Sequence, residues 1–95
     1  MPYVKQTRKH ILEGAELYGR FCETSGELNY SLTQVIRGYL VRHGLSYATC
    51  NDIVGALDNA KDEFRRRVQH PLENRKIAEN GDVYAENETG CIPTA

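Results

Sequence analysis

The residues best equipped for chemistry form one dense run, Lys61-Asp62-Glu63-Phe64-Arg65-Arg66-Arg67. Cations and carboxylates at this density can hold an anion, or can neutralise one another along a helix. Asp62 with Arg66 and Glu63 with Arg67 stand four apart with the acid first, an order that supports a helix by roughly 0.2–0.5 kcal/mol per pair. Lys61 differs from its neighbours. On a helical wheel it falls between Val54, Leu57 and Val68, inside an apolar stripe, and Arg67 falls beside Ala56 and Ala60, whose small side chains leave room for a ligand or another backbone. A cation so placed either snorkels to water or meets an anionic partner, because burying it unpaired is costly.

A second set of residues follows helical spacing, with Tyr30, Gln34 and Arg37 at i, i+4 and i+7. An aromatic face with an arginine nearby can stack a nucleobase and hold its phosphate. The same trio, extended by Val41, can equally form a seam between subunits, where tyrosine and arginine are enriched.

Patterns that would announce catalysis are absent: no phosphate-cradling glycine loop, no H-E-x-x-H, no G-x-S-x-G. His43 and His70 fall in last turns of helices, where a histidine complements the helix dipole, and His10 has no assignment. No carboxylates are forced by spacing into an acid–base pair. Cys22, Cys50 and Cys91 show neither C-x-x-C nor metal-ligand spacing and read as reduced thiols, with Cys22 in the core. The expectation is a non-enzyme with no catalytic residues, no metal and no cofactor.

The elements that must position these side chains are mainly helical. Ile11, Ala15, Tyr18 and Cys22 make one apolar face over residues 9–23, a first helix weakened by Gly14 and Gly19. Thr24 and Glu27 fit a capping box that opens a second helix, which ends at Gly44; Leu28, Leu32, Val35, Ile36, Tyr39 and Leu40 form its core arc. Thr49, with Asp52 three residues on, reads as the N-cap of a third helix limited by Pro71, with Ile53, Leu57, Ala60, Phe64 and Val68 as its stripe. A short polar helix from Pro71 to Asn80 stops at Gly81. Asp82-Val83-Tyr84 then reads as extended and able to pair with Tyr3-Val4 in a small terminal β-ribbon. The expected architecture is a mainly α fold: a single three-helix domain over residues 1–84 with a short C-terminal helix, then a flexible tail over 85–95.

Ninety-five residues allow one domain at most, and so short a chain gains from oligomerisation. A formal net charge of −1 gives no general attraction to long nucleic acid. No apolar run approaches a membrane span, and Met1-Pro2-Tyr3-Val4-Lys5 lacks a signal-peptide core, so a cytoplasmic protein without membrane contact is expected. A homo-oligomer, dimer or tetramer, is the expected assembly.

Four segments, in this order, carry a resemblance: Gly26-Glu27-Leu28-Asn29-Tyr30, Asn51-Asp52-Ile53-Val54-Gly55-Ala56-Leu57, Ala60-Lys61 with Glu63-Phe64 and Arg66-Arg67, and Glu79-Asn80-Gly81-Asp82-Val83-Tyr84. With the opening Met-Pro-Tyr-Val-Lys, they resemble an uncharacterised family of small proteins of tailed phages and their bacterial hosts. The resemblance spans roughly residues 1–84; the tail beyond Tyr84 does not align, and the glycines of the first helix depart from the pattern. It points to a kinship with anti-CBASS sponges, oligomers that sequester the cyclic-nucleotide messengers of bacterial immunity. The family's polar motif positions are matched here by Asn29, Tyr30, Lys61, Arg66, Arg67, Asn80 and Tyr84. Joined with the helix-face reading, this makes Asn29, Tyr30, Arg37, Lys61, Arg66, Arg67 and Tyr84 the expected contacts to a cyclic nucleotide. The competing expectation is an adaptor or inhibitor that binds a host protein through the Tyr30–Val41 face. A small phosphodiesterase is a third, disfavoured by the missing metal ligands and paired histidines.

Overall fold

A computed structural model describes residues 4–84. The described chain is mainly helical: α1 (Gln6–Leu12), α2 (Ala15–Phe21), α3 (Ser25–His43), α4 (Tyr47–Phe64), a π-helical turn (Arg65–Gln69) and α5 (His70–Asn80). Its contacts divide it into two units, Met1–Asn59 and Ala60–Ala95, with the division falling inside α4. The expected tail over 85–95 lies outside the described residues.

In the first unit, the single helix expected over 9–23 is two helices. Glu13 and Gly14 keep right-handed backbone angles, but the amides of Glu16 and Leu17 bond the carbonyls of Glu13 and Gly14, three residues back. The ladder tightens there by a 3₁₀-type step, at a position where glycine makes continued α-helix less favourable. The capping box forms as the sequence predicts. Thr24 Oγ1 accepts the Glu27 amide at 3.1 Å, and Glu27 Oε1 in return accepts the Glu23 amide at 3.1 Å, one residue before the usual partner. At the far end Gly44, at φ 79°, takes a left-handed conformation that a side chain disfavours and closes α3 through the Leu40 carbonyl.

Helix α4 begins earlier than its sequence suggests. Ser46, not Thr49, is the cap: its hydroxyl oxygen accepts the Thr49 amide at 3.0 Å and pairs with the Thr49 hydroxyl at 3.1 Å. Thr49 becomes an interior residue of the first turn and is buried.

In the second unit, Pro71 does not end the helix. The His70 amide bonds the Arg65 carbonyl five residues back, and the wide turn Arg65–Gln69 leads directly into α5 with Pro71 in its first turn. Proline supplies no N–H and its ring crowds the carbonyl four residues back, so a locally widened ladder lets the chain stay helical. Gly81, at φ 86°, stops α5 as expected. The expected terminal ribbon finds no support among the described residues, where no strand occurs and the Tyr84 amide bonds Asp82 Oδ1 at 3.0 Å in a local turn. Tyr3, half of the expected pairing, lies outside the described residues.

The apolar arcs do not close over a core. Thr49 alone is buried among the described residues, and no hydrophobic side chain is. Ile36, Leu40 and Ile53 are half-buried; Leu28, Leu32, Val35, Leu57, Phe64 and Val68 are exposed.

Candidate functional site

Helices α2 and α3 of the first unit create the clearest concave surface around the expected residues. Cys22 ends α2 with its thiol 3.1 Å from the Tyr18 carbonyl and 3.3 Å from Ser31 Oγ, which ties the end of α2 to the face of α3. It is half-buried in a polar contact rather than in the expected apolar core. Tyr18 from α2 and Tyr30, Ser31, Gln34 and Val35 from α3 line a cavity of 360 Å³. A second, more open hollow of 590 Å³ continues past Tyr18 and Tyr30 to Phe21, Thr24, Gly26 and Glu27. Tyr18 and Tyr30 are 66% and 67% exposed, so their side chains are accessible.

The three residues read as one face, Tyr30, Gln34 and Arg37, do act together. Gln34 lines the cavity with Tyr30, and Arg37, which is not part of the lining, donates from Nη1 to Gln34 Oε1 at 3.3 Å. Val41, expected to extend this face into a contact, stands 83% exposed. Asn29 is exposed on α3 and lines neither hollow; its carbonyl accepts the Thr33 hydroxyl at 2.9 Å. Tyr18 is the residue the sequence reading missed. Its helical spacing with Ile11 and Cys22 suggests a core position, but a tyrosine carries a hydroxyl that favours a half-open wall over a core.

The cationic residues belong to the second unit. Glu63 Oε1 binds Arg66 Nη2 at 2.6 Å and Glu63 Oε2 binds Arg67 Nε at 2.9 Å, so one carboxylate holds both guanidinia. The pairing expected between Asp62 and Arg66 is replaced, because the i, i+3 reach to Glu63 is open as well. Lys61 is exposed and forms no ion pair among the described residues, which is the snorkelled alternative and removes any buried-charge argument for a ligand. Tyr84 is exposed beyond α5. Within the first unit the expected contacts Tyr30 and Arg37 are brought together through Gln34; within the second, Arg66 and Arg67 are brought together through Glu63.

A third hollow lies between α3 and the first half of α4, in the first unit. Leu32, Val35, Ile36 and Tyr39 face Asp52, Ile53, Ala56 and Leu57 around 280 Å³. Tyr39 spans the two helices by donating its hydroxyl to Asp52 Oδ2 at 2.9 Å, and its ring stacks at a tilt on His43 with centroids 4.1 Å apart. The bond to Asp52 raises the Tyr39 pKa above 10.0, helped by partial desolvation and the carboxylate charge.

Among the described residues no cluster of His, Cys, Asp or Glu could hold a metal ion, and no helix is long and apolar enough to cross a membrane. The chain belongs to the family described as Domain of unknown function (DUF6899), whose model matches residues 1–83. No curated protein and no solved structure matches it.

Proposed function

We propose that this chain is the protomer of a homo-oligomer that binds and sequesters an anionic nucleotide such as a cyclic dinucleotide, without catalysing its turnover. The observation that carries the reading is the α2–α3 cavity, where Tyr18 and Tyr30 present two aromatic rings beside the Gln34 amide, whose oxygen accepts a hydrogen bond from Arg37 outside the lining. Aromatic faces accept any base by stacking, an amide can read a base edge, and a guanidinium binds phosphate in a bidentate fork. Asn29 on α3 is a further expected contact in this unit; Lys61, Arg66, Arg67 and Tyr84, expected as contacts too, belong to the second unit and are taken by themselves. The resemblance to phage proteins gives this chemistry a context, a sponge in the host cytoplasm that removes the messengers of an immune system such as CBASS.

The test is to mix the purified protein with a panel of cyclic di- and trinucleotides, remove the unbound fraction, denature the protein and identify what is released. Intact nucleotide is the expected product. Absence of calorimetric heat with the same panel at about 100 μM protein, far above a micromolar dissociation constant, sinks the reading.

The exposed apolar residues favour a second reading, an adaptor that captures a host protein. Phe21 and Val41 stand 77% and 83% exposed on the same unit as the tyrosines. A stoichiometric protein partner retained by the wild type and lost with Tyr30→Ala, together with no bound nucleotide, selects the adaptor.

A further inference from the structure

The two hollows at the α2–α3 junction share Tyr18 and Tyr30 but differ in what else lines them. The cavity that reaches Gln34 has an amide on its wall, whereas the wider hollow of 590 Å³ adds a third aromatic ring, Phe21, and a carboxylate, Glu27. No lysine or arginine lines the wider hollow. Aromatic rings attract a cation through the negative potential of their faces, and a carboxylate beside them has the same preference. A phosphate there would meet the charge of Glu27 with no cation to offset it.

Glu27 is held at the hollow by the local fold. Its Oε1 accepts the Glu23 amide in the capping box that opens α3, and its carboxylate forms no ion pair among the described residues. The surrounding sequence strengthens the sign. Residues 13–27 contain four carboxylates, Glu13, Glu16, Glu23 and Glu27, against one cation, Arg20, a net −3 in a chain whose total is −1. Arg20 lies 3.9 Å from Glu16 and not against Glu27. Arg37, which bonds Gln34, stands ten residues further along α3 than Glu27, about 15 Å away along the helix axis. The junction is therefore aromatic and acidic at the Phe21 end.

We infer that the hollow lined by Tyr18, Phe21, Tyr30 and Glu27 is a recognition site for a cationic side chain, lysine or arginine, carried by a basic segment of a partner polypeptide. Its width and open mouth suit a side chain delivered with its own backbone, and the net negative charge around it attracts further cations of the same segment. The site goes beyond the nucleotide reading and does not depend on it, since Phe21 and Glu27 do not line the cavity that reaches Gln34.

The experiment is an NMR titration of the full chain with heptapeptides of glycine and serine that carry three lysines, three arginines or three norleucines, with tetramethylammonium chloride as the free cation. The two basic peptides are expected to shift the resonances of Tyr18, Phe21 and Tyr30 with a dissociation constant of about 1 mM or below. The norleucine peptide, which keeps an apolar stem without the charge, and tetramethylammonium are each expected to bind at least about tenfold more weakly. Glu27→Gln retains the capping acceptor, because glutamine serves in the same box, and removes the charge. It is expected to weaken the lysine peptide about fivefold at low salt and less at high salt. Phe21→Leu keeps an apolar side chain and removes one ring, for a weakening of about threefold. If either variant fails to fold, the comparison of the four probes on the wild type still decides the matter. Equal binding of the norleucine peptide overturns the inference, because the hollow then takes any apolar stem. So does lysine-peptide binding that neither variant weakens, or the absence of any shift up to about 20 mM peptide. Tetramethylammonium bound as tightly as the lysine peptide would assign the hollow to a free ammonium ion and overturn the polypeptide partner. A cyclic-nucleotide panel without binding leaves this site standing, and a failed peptide series leaves the nucleotide cavity standing.

Discussion

At the scale of single residues, three side chains carry distinguishable consequences. Tyr30 is the shared wall of two hollows, and stacking on an aromatic ring contributes about 1–3 kcal/mol per base. Tyr30→Ala is therefore expected to weaken nucleotide affinity about tenfold to a hundredfold by calorimetry, with the helical content of the circular dichroism spectrum retained. Glu63 decides what the arginines do, since it occupies both Arg66 and Arg67. If those guanidinia contact phosphate, Glu63→Gln removes a competitor, and affinity should rise about tenfold at low salt and less at high salt. Unchanged affinity with a lower melting temperature would instead show that the trio only supports the helix. Tyr39 reports the coupling of α3 to α4. Its pKa is raised in the fold by Asp52, so the stabilisation is present below the unfolded phenol value and is lost as pH rises through the folded value. The wild type should thus lose its stability advantage over Tyr39→Phe above about pH 10, and a melting series at mildly and strongly alkaline pH checks it.

At the scale of elements, what could be read from sequence was what local chemistry determines. Thr24 with Glu27, and Gly44 and Gly81 at the helix ends, specify boundaries through hydrogen bonds and backbone angles a few residues long, and the structure has them. Thr49 was misplaced because Ser46 offers the same hydroxyl three residues earlier, and only the hydrogen bond actually made separates two adjacent cap candidates. Pro71 was misread because its cost is usually reckoned for strict α-helical geometry; the π turn ahead of it changes that geometry. Gly14 marks the remaining difference and gives a prediction at this scale. It has right-handed angles, and a Cβ built there meets nothing within 4 Å. Gly14→Ala should consolidate α1 and α2 and stabilise by about 0.5–1 kcal/mol, seen as higher helicity and a higher melting temperature. Thr24→Ala should do the reverse at α3, costing about 1 kcal/mol.

At the scale of the whole molecule, sequence patterning states that a face must be covered but not by what. The arcs through Leu32, Ile36 and Tyr39 and through Ile53 and Leu57 were legible. That they bury no hydrophobic side chain among the described residues was not, because the pattern of an amphipathic helix fixes which face is apolar and not how deeply that face is covered. The candidate site was half legible for a related reason: the trio on α3 is fixed by one helix's spacing, whereas Tyr18 joins it only through the packing of α2 on α3. Ligand and assembly then meet in one measurable quantity. A nucleotide that binds only the folded chain stabilises it by about 2.7 kcal/mol at a hundredfold excess over the dissociation constant. For a chain of this size that corresponds to a rise of roughly 10–20 °C in melting temperature. A ligand held within one protomer raises melting by the same amount at every protein concentration and leaves the sedimentation coefficient unchanged on dilution. A ligand whose site is completed by a second copy must, by linkage, also tighten the association. Its stabilisation then grows with protein concentration, and saturating ligand keeps the oligomer assembled at dilutions where the free protein dissociates. Melting curves at several protein concentrations, with and without saturating cyclic dinucleotide, therefore test whether the tyrosine cavity takes the proposed ligand at all and, if it does, whether a second copy completes the site.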